Sequence, residues 1–185
     1  MSASMFDVAL PLFRQALSGL QNVLDKGEAH ARDAGRSPDS LLQARLCEDM
    51  QPLGFQVALA LNHSADALRR MQGEQPEWRT AYETFDVARS EAADGLAFVR
   101  SIAPADLTGA EGREVVFKAP GVEQKFEALS FLTAVSLPNC YFHVVTAYAI
   151  LRHLGVTIGK FDYLAMPPPR SWTGVGGTAT RPGEP

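Results

Sequence analysis

Four histidines are the side chains in this 185-residue sequence best suited to acid–base or metal chemistry near neutral pH. Two of them, His143 and His153, fall in the apolar stretch PNCYFHVVTAYAILRHLG, residues 138–155. Ten positions on one helix separate them by roughly 15 Å and put them on different faces, so they cannot share a metal ion within one chain. His153 stands two residues before Gly155, where a basic side chain complements the C-terminal end of the helix dipole. His143 lies near the helix start among Phe142, Val144 and Val145. It reads either as a hydrogen-bonded, half-buried histidine or as a ligand or acid–base group. Asn139, four residues earlier, shares its face. Gln56 sits between Phe55 and Val57 near the start of an earlier helix. His63 follows it by seven residues on nearly the same face, although Asn62 and Asp66 predict a wetter setting. His30, in EAHARDA, reads as solvated.

The familiar catalytic patterns are absent. There is no HExxH, GxSxG, P-loop or Rossmann glycine pattern, and no ExxH pair recurs on two helices as a di-iron bundle requires. GVGGT, residues 174–178, lacks a preceding strand and a following helix and reads as flexible sequence. GKFDYL, residues 159–164, reads as a docking segment in which Phe161, Tyr163 and Leu164 pack while Lys160 and Asp162 face water. Cys47 and Cys140 form no metal spacing and are expected as reduced thiols. A net charge of −4 with scattered Lys and Arg argues against a nucleic-acid partner. The N-terminal MSASMFDVALPLFRQ does not read as a secretory signal, and no window reads as a membrane span. The expectation is a cytoplasmic protein.

Those side chains need elements to hold them, and hydrophobic spacing supplies four long helices. Phe6, Leu10, Phe13, Leu17, Leu20 and Leu24 form the stripe of the first, with a kink or start near Pro11 and a stop at Gly35. Ser37 and Pro38 open a short helix ending before Glu48. A second long helix is predicted over 50–71, with Leu53, Val57, Ala60, Ser64, Ala67 and Met71 inward. The third spans about 81–102 with Phe85, Ala88, Ala92, Leu96 and Val99 inward. EVVFK and VEQKFE flank Ala119-Pro120-Gly121 as a small β-hairpin. Pro138 marks either the first turn of the fourth helix or a kink between two helical pieces, and the helix ends at Gly155. The predicted fold is all-α with a small hairpin, an antiparallel four-helix bundle over residues 1–165, followed by a disordered Pro/Gly-rich tail over 166–185.

Three segments, MFDVALPLFRQALSGLQNVLDKGEAHA, LLQARLCEDMQPLGFQV and LPNCYFHVVTAYAILRHLGVTIGKFDYL, occur in an order that resembles domain-of-unknown-function family nineteen-ninety-three. That family is grouped with the DinB/YfiT-like four-helix bundles, and the likeness runs from about residue 3 to 165. The resemblance implies a metal held by one histidine of the second helix and an HxxxH pair of the fourth, with thiol-dependent transferase or hydrolase activity in some members. Carried onto this sequence, the pattern meets His143 at the second position of the pair, Asn139 at the first and Gln56 near the second-helix position. Amide oxygens are poor ligands for zinc or nickel, so His143 is the one candidate ligand and no cofactor is expected. The leading expectation is a small molecule bound in a metal-free polar pocket of Gln56, Asn139 and His143. A metal-dependent transferase and a homodimeric interaction module are the alternatives.

Overall fold

A computed structural model describes residues 4–167, and these form a mostly helical fold with one small antiparallel sheet. Helix α1 runs Met5–Asp33. It starts where the Ser4 hydroxyl accepts from the Asp7 N–H while the Asp7 carboxylate accepts from the Ser4 N–H, a reciprocal cap. Pro11 lies inside the helix, past the first-turn N–H groups that have no partner, and removes the ladder hydrogen bond to the Asp7 carbonyl, yet it neither starts nor ends the helix. Leu10, Phe13, Leu17, Leu20 and Leu24 are fully buried, each side chain contributing roughly 1.5–3 kcal/mol. Phe6, expected in the same stripe, is only partly buried; Met5 and Ala9 fill that end of the core. Gly35, at φ 66°, takes the chain out of the helix.

Ser37 caps a 3₁₀ helix, Pro38–Gln43, shorter than the helix expected there. The second long helix is in fact two, α2 over Leu53–Asn62 and α3 over Ala65–Met71. Ser64, at φ −128° and ψ −87°, breaks the run. All six positions predicted inward are buried, but so are most of their neighbours, because every residue of α2 except Phe55 is buried. Residues 72–84 form a strap without regular structure, and α4 spans Phe85–Ser101 from a Thr84 cap, four residues later than predicted. Strands β1, Glu114–Ala119, and β2, Val122–Glu127, pair from Ala119↔Val122 to Glu114↔Glu127 around Pro120-Gly121. Gly121 at φ 75° after proline is the type II turn pattern.

Helix α5, Ala128–His153, is continuous over 26 residues, with a π-helical turn over Phe131–Ser136. Pro138 stands in the first turn of the regular α-helical piece, Leu137–His153, as one of the two sequence readings had it, but that piece continues the helical path from the π turn rather than opening a separate helix. Contrary to the sequence reading, one 18-residue window of α5 reaches a mean hydropathy of 1.3, enough by length and composition to cross a membrane. Here α5 packs on α1 and α2, and 39% of that window is buried. Gly155, at φ 88°, ends the helical path. The docking segment becomes α6, Lys160–Tyr163, lying along α1. Asp162 does not simply face water: it pairs with Lys26 at 2.5 Å and accepts from the Gly159 N–H at 2.7 Å. Asn22 and Gln15 donate to the carbonyls of Asp162 and Tyr163. Cys47 is exposed, Cys140 is buried, and both are free thiols. GVGGT and most of the predicted tail lie outside the described residues.

Candidate functional site

The two helix irregularities face each other. Breaking the run after α2 leaves the His63 carbonyl without a helical partner, and the Ser136 hydroxyl, at the end of the π turn, donates to it at 2.8 Å. Ser64 turns its own hydroxyl back to the Ala60 carbonyl at 2.6 Å. This junction brings the His63 and His143 rings into a near-parallel stack, 6.0 Å between centroids and 12° between planes. On its other side His63 stacks on Phe117 of β1 at 5.8 Å, and Trp78 of the strap meets its edge at 5.4 Å. Phe55 and Phe142 stand edge-on to His143. His63, expected in a wet setting, is 4% exposed. Asn62 and Asp66 face the other way, into a cleft of about 200 Å³ beneath the strap.

Gln56 and His143 meet directly, with Oε1 and Nδ1 2.8 Å apart. The bonding fixes the proton. The Gln56 amide nitrogen donates to the Gln51 carbonyl at 2.9 Å, so its oxygen faces the ring, and an oxygen there can only accept. Nδ1 of His143 therefore carries the hydrogen and Nε2 carries the lone pair, with no hydrogen bond to it among the described residues. Burial lowers the His143 pKa to about 4. His63 falls to about 3, first through burial, then through repulsion from His143 and Arg70. Both rings are neutral at pH 7. Nδ1 of His63 is sealed from solvent without a hydrogen-bond partner among the described residues.

Asn139 does not join this cluster: its amide donates to the Val135 carbonyl one turn back, at 2.7 Å. His153 is exposed in the last turn of α5, and His30 is half-exposed with Arg36 at 3.5 Å. The donor chemistry does not fit a three-histidine metal centre. Of the three positions the resemblance points to, two are amides already bonded to carbonyls or to the ring, and His63 supplies only a second imidazole. Among the described residues no three His, Cys, Asp or Glu side chains gather as ligands. The seven-residue spacing from Gln56 to His63 was the sequence signal that could have joined His63 to the cluster.

Four of the five charged residues that line the 200 Å³ cleft are paired with one another. Asp66 pairs with Arg69 at 2.7 Å, and Glu91 with Arg79 at 3.1 Å.

Three comparisons bear on this geometry. A family model described as "Domain of unknown function (DUF1993)" matches residues 5–164. A solved structure of a DinB family member protein from Shewanella denitrificans is similar over 90% of this chain and 95% of that one, at 29% identity and a TM-score of 0.75. No curated protein matches the chain.

Proposed function

The chain belongs to the domain-of-unknown-function family DUF1993, and from the cluster its helices enclose we propose that it binds a small molecule beside His143. The observation that carries this reading is the fixed tautomer of that ring: Gln56 holds Nδ1–H and leaves the Nε2 lone pair, set among aromatic neighbours, without a partner among the described residues. A ligand with an O–H or N–H group and an apolar body suits such a wall. In this reading α2 and α3 count as one broken helix, and with α1, α4 and α5 they make an antiparallel four-helix bundle whose interior end is the binding site.

The test uses 4-hydroxybenzamide as probe and follows the imidazole nitrogens by ¹⁵N NMR. The expected spectrum has His143 protonated at Nδ1 and bare at Nε2, with Nε2 shifting toward the hydrogen-bonded range as the probe is added. His143→Phe abolishes the titration. A His143 ring protonated at Nε2, or a probe that moves no imidazole resonance, overturns the proposal.

A second reading has its own observation. From Ala128 to Leu151 the sequence carries no Asp, Glu, Lys or Arg, yet Phe142 is 58% and Val145 46% exposed. An uncharged apolar face can meet a copy of itself without like-charge repulsion, which supports a homodimer through α5. Light scattering on wild type and Phe142→Glu checks it: a dimer that becomes monomeric is expected, and a wild-type monomer at high concentration counts against it.

A further inference from the structure

Arg70, on α3, is 2% exposed and pairs with no carboxylate within 4 Å among the described residues. Asp66, the carboxylate that acts on it through space, is bonded to Arg69. A guanidinium has five N–H donors and stays charged at any physiological pH. Here Nη1 donates to the Asn62 carbonyl at 3.3 Å and Nη2 to the Pro76 carbonyl at 3.2 Å, while Nε is buried with no acceptor among the described residues. The guanidinium lies 5.9 Å from the Trp78 ring centre and 6.0 Å from that of Phe117. These are the two rings that also enclose His63, whose Nδ1 is another sealed nitrogen without a hydrogen-bond partner among the described residues. Two buried nitrogens without acceptors or donors, and one buried charge with no carboxylate in contact, thus share one aromatic enclosure next to His143. A buried cation lacking its partner is strongly unfavourable, and a desolvated anion removes the imbalance.

From this geometry we infer that the chamber under Trp78 takes the carboxylate of a small aromatic or apolar acid, with Arg70 as its counter-ion. The inference rests on the proposed site at His143 and names its ligand class. Nε and an adjacent Nη present the side-on fork that a planar carboxylate accepts in two hydrogen bonds. The His63 ring presents a third donor when its proton is at Nδ1. The strap is the way in. Residues 72–84 have no regular structure, most of them are exposed, and Gly73 turns at φ 95°. Arg70 helps hold this strap closed through Pro76, so a carboxylate that takes up Nη2 also releases the segment carrying Trp78. On the strap side, the 200 Å³ cleft is lined by Pro76, Glu77 and Arg79, the residues that flank Trp78, so the segment carrying Trp78 is not close-packed along its length.

The test follows Trp78 fluorescence in a Trp172→Phe background, which leaves it the single tryptophan. The probes are 4-hydroxybenzoate, 4-hydroxybenzamide and benzoate, each to about 20 mM. The first two share a phenol for His143 and nearly the same shape, and differ in charge and in the amide's N–H donors, which face Arg70 where the acid has an accepting oxygen. Binding of 4-hydroxybenzoate at least about tenfold tighter than of its amide is expected, with Arg70→Gln removing that difference and Arg70→Lys retaining part of it. The wild-type comparison stands even if Arg70→Gln does not fold. Equal binding of acid and amide overturns the counter-ion role and leaves the site at His143 intact. Benzoate bound in an Arg70-dependent way while 4-hydroxybenzamide is not bound upholds the carboxylate site and removes the role of His143. No change at Trp78 with any acid overturns the inference.

Discussion

The burial that lowers His63 to about 3 and His143 to about 4 makes both rings sensitive reporters of the fold at acid pH. In the unfolded chain each titrates near 6.5, so between that value and the folded one the unfolded state holds the extra protons. Stability is therefore complete above pH 6.5 and falls as the pH drops through 6.5 toward 4. The slope is about 1.4 kcal/mol per pH unit for each ring. Urea midpoints from pH 7.5 to 4.5 should show this fall in wild type and a much flatter profile in a His63→Gln/His143→Gln double variant. Equal slopes would mean that the rings are protonated in the folded protein. Residue patterns made Gln56 and His143 legible in advance, because a glutamine and a histidine each stood among apolar neighbours on an otherwise core-forming helix. His63 was masked by Asn62 and Asp66, whose polarity belongs to the opposite side of α2 and α3.

At the scale of elements, the site depends on two places where helices depart from regular geometry. Helical spacing alone located the inward positions of the second long helix, since Leu53, Val57, Ala60, Ser64, Ala67 and Met71 are all buried. It could not show the break at Ser64, because nothing in LNHSAD is a strong helix breaker. The break is held by tertiary contact, the Ser136 hydroxyl on the His63 carbonyl from 73 residues away. The π turn that places Ser136 is equally hidden in LSFLTAV, which reads as ordinary apolar helix, and only Pro138 hints at it. Ser136→Ala leaves a buried carbonyl without a donor and should cost about 1–3 kcal/mol. It should also loosen the stack of His63 on His143, seen as slower-decaying signals from mobile imidazoles in NMR relaxation. A substitution neutral in both measurements would mean that the backbone holds the junction unaided.

The whole molecule is closed by its two ends, with α6 laid along the middle of α1. Gly19 permits that approach: a Cβ there would stand 1.8 Å from the Tyr163 carbonyl oxygen, an impossible contact with rigid backbone. Lys26, Asn22 and Gln15 then hold α6 in place. The sequence indicated that GKFDYL docks, but not where, since a glycine inside a helical stripe does not say which segment lies over it. In the full chain Gly19→Ala should destabilise by several times the helix-propensity gain, because α6 must lift off α1 and leave the amides of Gln15 and Asn22 without acceptors. In a chain ending at residue 158 the obstructing carbonyl is gone. There the same substitution should stabilise by about 0.5–1 kcal/mol, the ordinary preference for alanine within a helix. Thermal or urea unfolding of the four proteins gives the coupling between residue 19 and α6 directly. A reversal of sign is expected. If Gly19→Ala destabilises both chains equally, its penalty comes from α1 itself, and the closure of the molecule does not depend on this glycine.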